Sequence, residues 1–161
     1  MKQTTLIGRI LLGALYASTA AAILAAVMFG VSRPTANETK VFIGGKEITV
    51  IIADTKELRE NGLSGYKEIN SSKGMLFVFS DPGFYGFWMK NMRFPIDIIW
   101  FDANRRIVDV WENATPESYP KVHTPVVPAQ YVLEVGTGYF ANHALKHGDI
   151  LEIGTSSRYN E

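Results

Sequence analysis

The fold is indicated most clearly by the stretch IDIIWFDANRRIVDVW, residues 96–111. Its two ends are rich in the β-branched and aromatic residues that favour strands. The loop DANR, residues 102–105, lies between them and contains residue types that favour tight turns. The stretch therefore predicts a β-hairpin, and the strand that opens it is apolar on both faces.

Short apolar runs bounded by turn residues continue on both sides of this hairpin. They predict further strands at residues 41–43, 48–52, 74–79, 87–89, 131–135 and 150–153. A capping box at Asp54 and Glu57 predicts a helix over residues 56–61, and Thr137 is placed to cap a second short helix. We therefore predict a mainly β domain over residues 37–155, an antiparallel β-sandwich or barrel-like fold with two short helices, followed by a tail at residues 156–161.

The amino terminus differs in composition from this domain. Residues 1–36 contain no acid, and the segment ILLGALYASTAAAILAAVMFGVS, residues 10–32, contains no charge. At about 1.5 Å per residue, a helix of that length could cross a hydrocarbon core of about 30 Å. We therefore expect residues 1–36 to be a single-pass transmembrane helix and linker, with the domain on the extracytoplasmic, periplasmic side of the cell membrane. The alternative is a signal segment cleaved near Ala22, which would leave a secreted or periplasmic domain.

Composition excludes several classes of site. The chain has 16 Lys and Arg, 16 Asp and Glu, and no Cys, so disulfides, thiolate metal sites and cysteine nucleophiles are excluded. No basic stretch stands out, and we expect no nucleic-acid partner. His143 and His147 have the spacing of a two-histidine metal clamp, but no acidic third ligand lies near them in the sequence. We expect neither a metal nor a cofactor.

Several motifs together resemble one known family. They are GMLFVF at residues 74–79, FWMKNM at residues 87–92, PIDI at residues 95–98 and PAQYVLEV at residues 128–135. In these motifs the chain is similar to the bacterial and archaeal family called domain of unknown function 192, from about Val41 to Ile153. The resemblance implies a compact β-sandwich or barrel-like domain, often behind an export signal. It implies no established reaction.

The candidate site residues lie in and just after FWMKNM. Trp88 and Lys90 share one face of a predicted strand, and that face should reach solvent or a cleft, because an unpaired Lys is not stable in a dry core. Asp97 lies in a strand that is apolar on both faces, so its carboxylate needs hydrogen-bond donors. Lys90, Asn91 and Arg93 are the nearest candidate donors in the sequence.

We therefore predict one polar and aromatic cluster of Trp88, Lys90, Asn91 and Asp97. Glu134 is a weaker candidate to join it, because strand alternation leaves it on a face that we expect to be exposed. The structural alternative for Asp97 is that it stabilises the tight turn before its strand by accepting backbone N–H bonds.

Three classes of function remain open. We favour a binding or accessory module for an envelope ligand, which could be a glycan, a peptide or a small molecule. The alternatives are a hydrolase that uses Asp97 and a purely structural interaction domain. An open cleft at the FWMKNM segment would favour binding or catalysis, and complete pairing of these side chains inside the domain would favour the structural class.

Overall fold

This computed structural model of the protein describes residues 38–154. The expected membrane or signal segment and the expected tail therefore lie outside the described residues. Within residues 38–154, no helix has the length and apolar character needed to cross a membrane.

The described chain is mainly β, with two short helices and two short 3₁₀ turns. The predicted helix over residues 56–61 is confirmed with the same bounds. The elements in chain order are β1 (Glu38–Ile43), β2 (Lys46–Ala53), α1 (Lys56–Asn61), a 3₁₀ turn (Gly62–Gly65), β3 (Lys73–Gly83), β4 (Phe87–Trp88), β5 (Ile96–Phe101), β6 (Ile107–Ala114), a 3₁₀ turn (Pro116–Ser118), β7 (Val122–His123), β8 (Ala129–Gly136), α2 (Tyr139–Asn142) and β9 (Leu151–Ile153).

Seven of these strands form one sheet in the order β6-β5-β8-β3-β2-β1-β9, and β4 pairs with β7 in a separate two-stranded ribbon. The sheet is mixed, which corrects the expectation of a purely antiparallel fold. β2 and β3 pair in parallel, with Ile51 opposite Met75. The chain between them contains α1 and a 3₁₀ turn, so it is long enough for the crossover that a parallel pair requires.

The sheet curls until its two ends meet. The backbone N–H of Ile107, at the start of β6, donates to the carbonyl of Asp149 at 2.9 Å. The N–H of Leu151, at the start of β9, donates to the carbonyl of Arg105 at 2.8 Å. The mainly β domain with two short helices is thus confirmed as a curled, half-barrel sheet.

Both faces of the curled sheet are buried along β5, every residue of which is buried. The inner face carries the main core, which includes Leu76, Ile99 and Leu133. The outer face is also covered, because Phe77 contacts the ring of Phe87 from the ribbon at a centroid distance of 4.8 Å. The site described next lies in this outer layer.

Candidate functional site

A cleft of about 740 Å³ opens on the outer face of the sheet. One wall is α1 with the 3₁₀ turn that follows it, and the other is the segment of residues 84–92 that carries β4. The most buried lining residues are Leu63, Phe77 and Glu134, which are 0%, 1% and 5% exposed. The cleft therefore has an apolar floor that contains one carboxyl group.

Glu134 is brought to this floor by the register of three strands. On its two sides it lies directly opposite Met75 of β3 and Ile98 of β5, and both neighbours are buried. The expectation of an exposed Glu134 is therefore wrong. The alternation of residues along β8 correctly assigned Glu134 to one face of the strand. That face is buried because the 3₁₀ turn of residues 62–65 covers it.

The 3₁₀ turn contacts the carboxyl group of Glu134 directly. The backbone N–H of Leu63 donates to Oε2 at 3.1 Å, and within residues 38–154 Oε1 accepts no hydrogen bond. A side chain at Gly62 would begin 3.1 Å from Oε2 and 3.3 Å from the ring of Phe77, so glycine permits this close approach. Burial raises the pKa of Glu134 to about 7, and the hydrogen bond from Leu63 acts in the opposite direction.

The opposite wall carries the residues that the FWMKNM motif predicted. Trp88, Lys90 and Asn91 all line the cleft together with Glu134. Trp88 is 51% exposed, and the Lys90 ammonium lies 5.7 Å from the centre of its ring, which is a cation–π arrangement. Asn91 has a φ of 59°, a left-handed conformation that asparagine tolerates better than most residues. The left-handed backbone at this position is therefore sufficient to explain why an asparagine lies in this turn.

Arg59 lines the cleft but was not singled out from the sequence as a site residue. Its Nη1 donates to the backbone carbonyls of Asp54 and Val78 at 2.6 and 3.1 Å, and its guanidinium lies 5.4 Å from the ring centre of Phe79. These contacts connect α1 to β3 and keep a positive charge at the cleft. In the sequence, the only sign of a role for Arg59 is its place in a helix three residues before Gly62. That pattern does not predict its contacts with β3.

Asp97 does not line the cleft, and its donors are not those expected. It is 0% exposed on β5. Its Oδ1 accepts the N–H groups of Asn113 and Gly138 at 2.9 and 3.2 Å, and its Oδ2 accepts the N–H of Phe140 at 3.0 Å. The hydrogen-bond donors to Asp97 are therefore backbone groups of β6 and of the start of α2, and not the side chains of Lys90, Asn91 and Arg93.

Both predicted helix caps are wrong. Thr55, not Asp54, caps α1, with its hydroxyl accepting the N–H of Leu58 at 3.2 Å. Gly138 occupies the N-cap position of α2, where Thr137 was expected, and glycine has no side-chain acceptor. Asp97 supplies the missing acceptor from a neighbouring strand, as capping of the free N–H groups of a helix requires.

A cluster of His123, Trp100 and Trp111 connects the ribbon of β4 and β7 to the sheet. The Nε2 atom of His123 lies 3.1 Å from Oδ2 of Asp109 on β6. The ring of His123 lies between the rings of Trp100 and Trp111, at centroid distances of 5.0 and 5.5 Å. The ribbon pairs Phe87 with His123, so this contact also positions the wall of the cleft.

Among residues 38–154, no cluster of three or more His, Asp or Glu side chains is arranged to hold a metal ion. Of the two histidines considered from the sequence, His143 places its Nδ1 2.8 Å from the carbonyl oxygen of Tyr139 in the preceding turn of α2.

The described domain matches a known protein family and one curated relative. The family model DUF192, described as uncharacterized ACR, matches residues 39–153. A UPF0127 protein of Thermococcus kodakarensis is 30% identical over 107 residues, which cover 63% of this chain and 62% of that relative. The chain thus matches less than two thirds of that relative's length.

Two solved structures are similar over most of the chain. A candidate transcription regulator from Sinorhizobium meliloti superimposes with a TM-score of 0.71 at 28% identity, covering 76% of this chain and 98% of that one. A protein of unknown function from Novosphingobium aromaticivorans superimposes with a TM-score of 0.69 at 27% identity, covering 75% of this chain and 89% of that one.

Proposed function

Because the chain belongs to the DUF192 family, which is described only as uncharacterized, we propose its function from the geometry of the cleft. The domain is a binding module that holds an envelope glycan, peptide or small molecule above Glu134. The volume of about 740 Å³ is that of a site for a small ligand. Its aromatic walls with a few polar groups are also typical of such sites.

The observation that carries this proposal is the state of Glu134. Its side chain is 5% exposed and, within residues 38–154, accepts one hydrogen bond, from Leu63. Burial disfavours the charged form of this carboxyl group, and its free oxygen faces a cleft from which a further donor can approach. A ligand that enters the cleft can supply that donor.

The two alternatives receive less support. A hydrolase built on Asp97 would need that carboxylate to face a substrate, but it accepts three backbone N–H groups away from the cleft. An acid and base pair of Asp97 and Glu134 would have to flank one bond, whereas the two side chains point to opposite faces of the sheet. A purely structural domain has no evident need for the open cleft or for Glu134 at its floor.

We also propose that residues 1–36 hold this module at the outer face of a membrane. The support is the uncharged segment of residues 10–32 and the absence of acids before residue 38. Alkaline carbonate extraction of the full-length chain tests this location. Retention in the membrane pellet is expected, and release of the full-length chain would contradict the anchor. Recovery of a shortened mature chain would select the cleaved signal.

Thermal unfolding with a panel of soluble sugars, short peptides and amino acids tests the binding function. At least one compound, present at several times its Kd, should raise the Tm of the full-length protein by about 4 °C, which corresponds to roughly 1 kcal/mol of added folding stability. Glu134→Gln should abolish the rise. Glu152→Gln, at an exposed position of β9, should preserve it. A rise that persists in Glu134→Gln, or no rise with any compound, would contradict binding in this cleft.

A further inference from the structure

The charges around the cleft have opposite sign at its floor and at its rim. The floor holds the acid Glu134, and the rim holds Lys56, Arg59 and Lys90. Lys56 lies 3.7 Å from Glu60, which partly offsets its charge. Lys90 forms no ion pair within residues 38–154, where its charged group contacts the ring of Trp88. The rim is therefore net positive above an acidic floor.

Aromatic rings line the cleft from its floor to its rim. The ring of Phe77 and the carboxyl group of Glu134 both border Gly62, each within 3.4 Å of the position that a side chain there would take. Phe87 meets Phe77 edge to face, and Trp88 is the next residue along β4. A carboxylate among aromatic rings suits an organic ammonium group, since the ring faces attract a cation and the carboxylate accepts charge-assisted hydrogen bonds.

Ligands with only one charge do not match this distribution. A simple cation would meet Arg59 and Lys90 on its way in, and a simple anion would meet Glu134 at the floor. A neutral sugar would leave the carboxyl group of Glu134 without a compensating charge when it ionises. Only a ligand with a cationic inner end and an anionic outer end complements both levels.

Building on the binding function proposed above, we propose that the ligand is zwitterionic, an amino acid or short peptide with an apolar side chain. Its α-ammonium group lies at Glu134, and its carboxylate is directed to Lys90 at the rim. Its apolar side chain packs against Phe87 and Trp88. This assignment makes the cleft a site for free amino acids or peptide ends rather than for glycans.

Ammonium binding also requires Glu134 to be ionised. Because burial raises the pKa of this carboxyl group to about 7, only about a tenth of it is ionised at pH 6 and about half at pH 7. Affinity for an ammonium ligand should therefore increase about fivefold from pH 6 to pH 7, a range in which an α-amine remains protonated. A neutral ligand would not show this increase.

Isothermal titration calorimetry of the full-length protein in a nonionic detergent tests the assignment with the dipeptide alanyl-phenylalanine. We expect binding that is about fivefold tighter at pH 7 than at pH 6. N-acetylation of the dipeptide should abolish binding, and C-terminal amidation should weaken it. These ligand variants require no change in the protein, so they test the inference even if a substitution impairs folding.

Protein variants should reproduce the same pattern. Glu134→Gln should abolish binding as N-acetylation does, and Lys90→Ala should weaken it as amidation does. Glu152→Gln and Lys67→Ala, both at exposed positions outside the cleft, should bind normally.

Absence of dipeptide binding, or equal binding of the acetylated dipeptide, would overturn the inference. Binding of the neutral disaccharide diacetylchitobiose in a Glu134-dependent manner would also overturn it but would leave the proposed binding function standing. Failure of the dipeptide, the disaccharide and the whole thermal panel would remove both.

Discussion

Asp97 and Glu134 are carboxyl groups on neighbouring strands that point to opposite faces of one sheet. In the register of β5 with β8, Asp97 is opposite Val135, and Glu134 is opposite Ile98. Both carboxyl groups are buried, but among the described residues Asp97 accepts three backbone N–H groups and Glu134 accepts one. The difference predicts opposite effects when each acid is replaced by its amide.

For Glu134 we predict a pH-dependent gain in stability when it is replaced by Gln. Its pKa is raised from 4.5 to about 7 in the folded state, so the folded chain binds this proton more tightly than the unfolded chain. The carboxyl group therefore lowers the free energy of unfolding progressively as the pH rises from about 4.5 to about 7, by about 3 kcal/mol in all. At pH 8, Glu134→Gln should be more stable than the natural chain by up to about that amount.

Urea unfolding between pH 4 and pH 8 measures this effect. The stability difference between Glu134→Gln and the natural chain should shrink toward zero at pH 4, where the Glu134 carboxyl is protonated in both states. Glu152→Gln is the matched control, since it lies exposed on β9 and should show no such trend. A stability difference that is the same at every pH would refute the raised pKa of Glu134.

For Asp97 we predict a loss of stability. Asp97→Asn replaces one acceptor oxygen with an NH₂ group, so at least one of the N–H groups of Asn113, Gly138 and Phe140 loses its partner. A buried donor without a partner costs about 1–3 kcal/mol. Chemical unfolding of Asp97→Asn should show a loss of that size, and Asp97→Ala should lose more.

Asp81→Asn, at an exposed position of β3, serves as the control for Asp97 and should unfold like the natural chain. Ligand binding in the cleft should survive in Asp97→Asn under conditions where the protein is folded. Unchanged stability together with lost binding would return Asp97 to the candidate site.

Local sequence patterns predicted the features that depend on neighbouring residues. The hairpin of residues 96–111 and the placement of Trp88 and Lys90 on one side of their segment follow from strand alternation, and the bounds of α1 follow from helix signals. The donors of Asp97 did not follow, because they lie 16, 41 and 43 residues away in the chain.

The state of Glu134 escaped prediction for a related reason. Alternation along β8 shows that Glu134 shares a face with Val132, but it does not show what covers that face. The cover is the 3₁₀ turn around Leu63, which lies 71 residues earlier in the chain. The parallel pairing of β2 with β3 likewise depends on the path of the whole crossover, which no local pattern specifies.

We predict that residues 38–161 fold without the preceding segment. All seven strands of the sheet and the hydrogen bonds that join its two ends lie within residues 38–154. The isolated fragment should be soluble, with a mainly β circular dichroism spectrum and one cooperative thermal transition. A disordered product or a mainly helical spectrum would contradict the fold.

The last prediction concerns the contact between His123 and Asp109. This pair holds β7 to β6 at 3.1 Å, and β7 in turn pairs with β4, which carries Phe87 and Trp88 of the cleft wall. Asp109→Asn removes the charge that faces His123 but keeps most of the side-chain shape. We expect the ribbon to lose about 1.4 kcal/mol of local stability, while the global free energy of unfolding changes little.

Hydrogen exchange measures the two effects separately. In Asp109→Asn, the amides of β4 and β7 should exchange about tenfold faster, because about 1.4 kcal/mol less free energy is then needed for local opening. The amides that pair β5 with β8 should keep their protection, since that pairing does not involve Asp109. Asp81→Asn should leave both sets of amides unchanged. Equal acceleration of exchange in the ribbon and in the sheet would mean that Asp109 stabilises the whole domain. Unchanged exchange in the ribbon would mean that the contacts of His123 with the rings of Trp100 and Trp111 are sufficient to hold the cleft wall.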